Sequence, residues 1–243
     1  MKFRTKITLL CLLLTLGLLC GACAVYLGSY YKADTAAIGA FLPEGTAFTE
    51  TADGDIVIGP QNAQTAFLFY PGGKVEHTAY LPLMQLLAEQ DILCIIVKMP
   101  FRLAVLDINA AKDIQKEYPS VQNWYIGGHS LGGAMAASYL AKHPADFKGL
   151  VLLAAYSTKD ISHAGCRVLS LYGSEDRVLN AQKYAENKKN LPDDFTEIVI
   201  DGGCHAYFGM YGNQKGDGTP SLSPATQIAI TANAILEMIG PLC

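Results

Sequence analysis

Apolar and polar positions divide the chain into two regimes. From Ile7 to about Tyr31 almost every residue is apolar, interrupted only by Thr, Gly, Ser and Cys, after a short head carrying Lys2, Arg4 and Lys6. A run of that length crosses a bilayer as a helix at about 1.5 Å per residue. It exceeds the apolar stretch of roughly 7 to 15 residues in a cleaved signal peptide, although Gly21-Ala22-Cys23-Ala24 supplies a small-x-small site. Because the run continues through Val25, Tyr26 and Leu27 to the interfacial pair Tyr30-Tyr31, a single uncleaved membrane anchor is expected. The basic head then stays cytoplasmic and the body lies outside; cleavage would give a secreted form.

From Thr65 onward the pattern changes to short continuous apolar runs alternating with helical periodicity. Strands are predicted at 66–70, 92–98, 124–127, 149–155, 168–172 and 196–200, with helices at 78–90, 131–143, 180–190 and 224–239 and another ending near Tyr118. Fully apolar strands alternating with helices predict an α/β fold, a mostly parallel central sheet with helices on both faces. The predicted layout is a head at 1–6, an anchor at 7–31, a connector with a small hairpin turning at Asp53-Gly54 over 32–64, and the α/β domain at 65–243.

Composition narrows the chemistry. A formal net charge of -4 and a pI near 5.7 provide no basic field for nucleic acid. Of the seven cysteines, Cys94, Cys166, Cys204 and Cys243 fall in the body, none at metal-site spacing, and mostly free thiols are expected. Neither a metal nor a nucleotide motif is present, so no cofactor is expected, and the search turns to a small-molecule substrate.

Gly128-His129-Ser130-Leu131-Gly132 sits between a predicted strand and a predicted helix. There the glycines permit a sharp turn that lifts the serine oxygen above the sheet, and Ser130 is the candidate nucleophile. A serine hydroxyl is inert at neutral pH without a general base. Among the five histidines, His205 alone follows the last predicted strand, in the loop Asp201-Gly202-Gly203-Cys204-His205, and is the candidate base. An imidazole acting as base needs a carboxylate to hold its tautomer. Asp176, in the loop after strand 168–172, is the candidate, with Glu175 as its substitute and Asp201 as a competitor. The developing oxyanion needs backbone donors. The amide of Leu131 is one, and Gly73 in Pro71-Gly72-Gly73-Lys74 is the other, with Gly72 and Lys74 as neighbouring alternatives and an ordinary Pro-Gly turn as the plain reading.

The elbow, the loop Gly173-Ser174-Glu175-Asp176 and the loop Gly202-Gly203-Cys204-His205 together resemble the α/β-hydrolase superfamily over about Thr65 to Gly240. The resemblance implies that fold and the order serine, acid, histidine. It implies cleavage of a carboxylic ester or related acyl compound through an acyl-enzyme. The short body is similar to the dienelactone-hydrolase-like branch, whose namesake enzymes use cysteine where this chain has Ser130. Tyr70-Pro71-Gly72-Gly73-Lys74 with Val97 to Phe101 resembles bacterial membrane-anchored members, which implies an extracytoplasmic enzyme. Only Ala155 to Gly165 separates two predicted strands where such folds insert a cap, so an open site without a cap domain is expected. Phe101, Tyr207, Phe208 and Tyr211 are candidates for an acyl pocket. The alternative from another class is a catalytically silent, surface-anchored binding protein on the same fold.

Overall fold

The computed structural model describes residues 2–240 and divides into two units, residues 1–30 and 31–243. Cys243 lies outside the described residues. In the first unit, helix α1 (Lys2–Gly28) contains one segment, Thr8–Gly28, long and apolar enough to cross a membrane, with a mean hydropathy of 2.4. The helix ends at Gly28. Tyr31, which the apolar pattern assigned to the anchor, belongs to the second unit, because its backbone pairs with Val75.

The second unit is built on an eight-stranded sheet in the order β1-β2-β4-β3-β5-β6-β7-β8. The hairpin strands β1 (Phe48–Glu50) and β2 (Ile56–Ile58) are antiparallel, and β2 adds antiparallel to β4 (Leu93–Ile96). Residues 32–64 are therefore no separate connector: the hairpin extends the sheet, and α2 (Thr35–Phe41) packs on the same body, with Ile38 in its core. The remaining strands run parallel: β3 (Thr65–Tyr70), β5 (Asn123–His129), β6 (Gly149–Leu153), β7 (Arg167–Gly173) and β8 (Thr196–Ile200). β3 is buried over its whole length because it lies mid-sheet. Phe67 and Phe69 point to one face with α3 (Leu81–Ala88) and α7 (Pro224–Ile239). Ala66, Leu68 and Tyr70 point to the other with α4 (Ala111–Glu117) and α5 (Leu131–Leu140), and α6 (Ala181–Asn187) meets β7 through Tyr184 and Ser170. Ser223 caps α7 by accepting from the Thr226 amide, and Pro224 opens it, which is why that helix keeps its predicted bounds.

From β3 the chain steps to β4 on one side and later returns to β5 on the other. Such a reversal opens a crevice at the C-terminal strand ends, where ligands bind in open α/β sheets. β3 and β5 are direct neighbours, Tyr70 opposite Gly128, so the loops leaving them meet. β6 and β7 are joined by residues 154–166 without a helix, and no cap covers that edge.

Candidate active site

Ser130 stands between β5 and α5 with φ 52° and ψ −121°, in the left-handed region that a residue with a Cβ avoids. Such a backbone costs about 1–3 kcal/mol and persists only where its surroundings impose it. Here the Ser130 amide donates to the Leu153 carbonyl at 2.8 Å, and its own carbonyl accepts from Ala134 at 3.1 Å. Gly132 allows the turn, because a Cβ there would collide with the carbonyl oxygens of Tyr70 and Pro71.

The loops after β7 and β8 bring Asp176 and His205 together. His205 Nδ1 lies 2.8 Å from Asp176 Oδ2, and the two side chains are only 2% and 1% exposed. The other oxygen of Asp176 accepts from the amides of Val178 and Leu179, each at 2.8 Å, which fixes the carboxylate toward the ring. A carboxylate accepts, so Nδ1 carries the proton and Nε2 keeps its lone pair. That Nε2 is buried and has no hydrogen-bond partner; the contact from Ser130 to His205 is open in this structure. Catalytic contacts of this kind often close only around a substrate. Glu175 instead pairs with Arg177 at 3.7 Å, and Asp201 is exposed at the end of β8. Neither substitute for Asp176 meets the histidine.

Pattern reading missed Asp217. One of its oxygens accepts from the amides of His205 (3.2 Å), Arg177 (3.3 Å) and Gly218 (2.9 Å), and the other from Ala206 (2.9 Å). Burial works to raise its pKa, yet these donors outweigh burial and hold the carboxyl below its usual value. The side chain thus ties the histidine loop to the acid loop. Only the length of segment 209–223 signalled that it matters. Cys204, next to His205, is held as a thiol. Burial, followed by the charge of Asp217, pushes its thiol up to about 12.

His129 is the second buried histidine, its ring centre 4.6 Å from that of His205. Its Nδ1 lies 2.8 Å from the Tyr80 hydroxyl, which also accepts from the Gly72 amide at 3.1 Å. With its oxygen accepting from Gly72, the hydroxyl donates to Nδ1, leaving the His129 proton on Nε2. Burial first, and then the neighbouring His205, hold the His129 pKa well below its usual value, so the ring is neutral.

The loop after β3 supplies the other half of the site. The Gly72 amide is committed to Tyr80, and the Lys74 amide donates to Arg102 at 2.8 Å. Among the described residues the Gly73 amide has no such partner, and a Cβ on Gly73 would lie 3.1 Å from the Leu131 side chain. Gly73 and Leu131 are therefore neighbouring residues, on the segments that leave the paired strands β3 and β5. Of the proposed acyl-pocket aromatics, Phe208 and Tyr211 are buried in the core, Phe208 beside His129, while Phe101 faces solvent. They do not form one pocket.

Known structures share this arrangement of strands and helices. Est1E from Butyrivibrio proteoclasticus, solved with ferulic acid bound, matches with a TM-score of 0.57 at 14% identity, covering 79% of this chain and 99% of its own. TT1662 from Thermus thermophilus matches with a TM-score of 0.60 at 12% identity, covering 81% of this chain and 99% of its own. The carboxylesterase CesB from Bacillus subtilis matches with a TM-score of 0.59 at 11% identity, covering 82% and 93%. No curated protein matches the sequence. The sequence profile of the alpha/beta hydrolase family matches residues 66–229, and the chain belongs to that family.

Proposed function

We propose that this hydrolase is a serine esterase that cleaves a carboxylic ester, or a related acyl compound, through an acyl-enzyme. The observation that carries this reading is the buried Asp176–His205 pair, which leaves His205 Nε2 unpartnered, together with a serine on a strained turn at the same edge of the parallel sheet. Ser130 Oγ attacks the acyl carbon as His205 Nε2 takes its proton, and Asp176 stabilises the imidazolium. The carbonyl oxygen gains the negative charge and is held by the amides of Gly73 and Leu131. Collapse expels the alcohol, which leaves with the proton from Nε2. Water then attacks the acyl-enzyme, giving its proton to Nε2, and the acid departs as Ser130 recovers its proton. That CesB is a carboxylesterase favours this chemistry by analogy of fold. The helix at 8–28 is proposed to remain as an anchor, with the body on the extracytoplasmic side.

The open contact between Ser130 and His205 favours one rival, a surface-anchored binding protein without turnover. Labelling of the full chain in detergent by a fluorophosphonate, with Ser130→Ala as control and p-nitrophenyl butyrate as substrate, separates the two. Labelling that requires Ser130, with turnover, supports the esterase. Folded protein that neither labels nor turns over sinks it.

A further inference from the structure

The oxyanion loop is held from two sides, and both holds bear on what the site faces. On one side Tyr31 donates its amide to the Lys74 carbonyl at 2.8 Å and accepts from the Glu76 amide at 2.9 Å. Its hydroxyl accepts from the Lys215 amide at 3.1 Å, and its ring lies 5.7 Å from Tyr211, so Tyr31 is fixed to the body. Only Ser29 and Tyr30 separate Tyr31 from the end of the apolar helix at Gly28. Three residue steps reach at most about 11 Å, whatever direction the helix takes.

On the other side, the Lys74 amide donates to the Arg102 carbonyl in the loop after β4. That loop turns through two non-glycine residues in the left-handed region, Phe101 at φ 50° and Arg102 at φ 61°. It presents Phe101 (59% exposed), Val105 (49%) and Leu106 (55%) to solvent, while Ala104 among them is fully buried. The segment is thus anchored, and its large apolar side chains face outward. Among the described residues, six large apolar side chains of the second unit are exposed. Three fall within this one stretch of six residues, whereas Phe48, Val199 and Ile230 are scattered. Single exposed apolar side chains need no explanation; a cluster at the rim of a site does.

We infer that Phe101, Val105 and Leu106 seat in the surface of the membrane that holds the helix, so that the Ser130 site opens on the bilayer and takes acyl esters resident there. The inference rests on the esterase reading and on retention of the anchor. A bilayer is the one apolar surface that the tether obliges to lie within reach of the oxyanion loop. An esterase for freely diffusing substrates needs neither the short tether nor the apolar rim.

The full chain is reconstituted in vesicles of phosphatidylcholine and phosphatidylglycerol, with 4-methylumbelliferyl oleate as the membrane-resident ester and 4-methylumbelliferyl acetate as the soluble one. The variant Phe101→Asn/Val105→Ser/Leu106→Ser keeps a residue that tolerates the left-handed turn. It is expected to hydrolyse the acetate within twofold of the parent and to lose at least tenfold on the oleate. Equal rates on the oleate, or equal losses on both esters, overturn the inference. Independently of activity, Leu106→Trp is expected to show quenching by brominated phosphatidylcholine beyond that of buried Trp124, and no added quenching overturns it as well. A parent chain that hydrolyses neither ester removes the esterase reading, while the quenching still decides whether the rim meets the bilayer.

Discussion

Two histidines lie with ring centres 4.6 Å apart, both buried and both with an unpartnered Nε2, and they are set up for opposite work. His205 meets a carboxylate, so its proton sits on Nδ1 and its Nε2 keeps a lone pair that nothing engages. His129 meets a phenol whose own oxygen is occupied by the Gly72 amide, so its Nδ1 accepts and its Nε2 carries the proton. The ring chemistry is identical; the partner alone decides the tautomer. A carboxylate also stabilises the imidazolium formed when the base takes a proton, and a phenol does not. In the proposed mechanism one ring accepts the proton of Ser130, while the other holds the Gly72 loop through Tyr80.

The largest expected effect breaks the comparison if it fails. His205→Ala should lower kcat/KM for p-nitrophenyl butyrate by about 10⁴-fold or more, and Asp176→Asn by a similar factor, because the tautomer is lost. His129→Gln should cost about tenfold or less, as expected for a residue acting on loop position alone. A variant series in which His129 matters as much as His205 would reverse the roles assigned to the two rings. Steady-state kinetics on the three purified variants decide it.

The difference between the two rings was only half legible in the sequence. The sharp turn at Ser130 and the meeting of Asp176 with His205 were legible because they are written locally, in glycine-framed loops and at strand ends on one sheet edge; the catalytic roles given to the three belong to the proposal. Tyr80 and His129 stand 49 residues apart and carry no pattern that pairs them. Asp217 was hidden for a related reason: its contacts are to backbone amides, which any residue offers. The hairpin was foreseen but its seat beside β4 was not, because strand pairing across 35 or more positions leaves no periodic mark. Tyr31 was misplaced because an aromatic residue after an apolar run suits a membrane interface and a packed core equally well.

Asp217 sharpens the comparison from the side of His205, since nothing like its grip exists in the contacts of His129. Asp217→Ala removes the acceptor for four amides and frees the loop that carries His205. A displacement of about 1 Å at a catalytic group costs up to about 10²-fold, so kcat should fall by about 10- to 100-fold with KM little changed. Unchanged kcat would mean that Asp176 alone holds the ring.

The neutrality of His129 has its own signature. The titratable groups around the ring are Tyr80, His205 and Tyr211, none of them an anion. Its folded pKa lies below the ordinary 6.5, so below pH 6.5 the unfolded chain takes up a proton that the folded chain refuses. This contribution is fully present above pH 6.5 and declines as pH falls toward the folded value, by about 1.4 kcal/mol per pH unit. Thermal unfolding at pH 7.5 and 5.5 should show a steeper loss for the parent than for His129→Gln. Equal losses would place a proton on His129 in the folded state.

The smallest effect isolates the link between His129 and the oxyanion loop. Tyr80→Phe keeps the buried ring and removes only the oxygen that accepts from Gly72 and donates to His129. Gly72 then holds an amide without its acceptor, directly before the proposed donor Gly73, and the loop is free to shift. Since the interaction matters most when the oxyanion forms, the loss should appear in kcat and not in KM. About fivefold is expected, equivalent to about 1 kcal/mol of transition-state stabilisation. A rise in KM at constant kcat would instead assign the Tyr80 hydroxyl to ground-state binding, and would leave His129 as a packing residue beside His205.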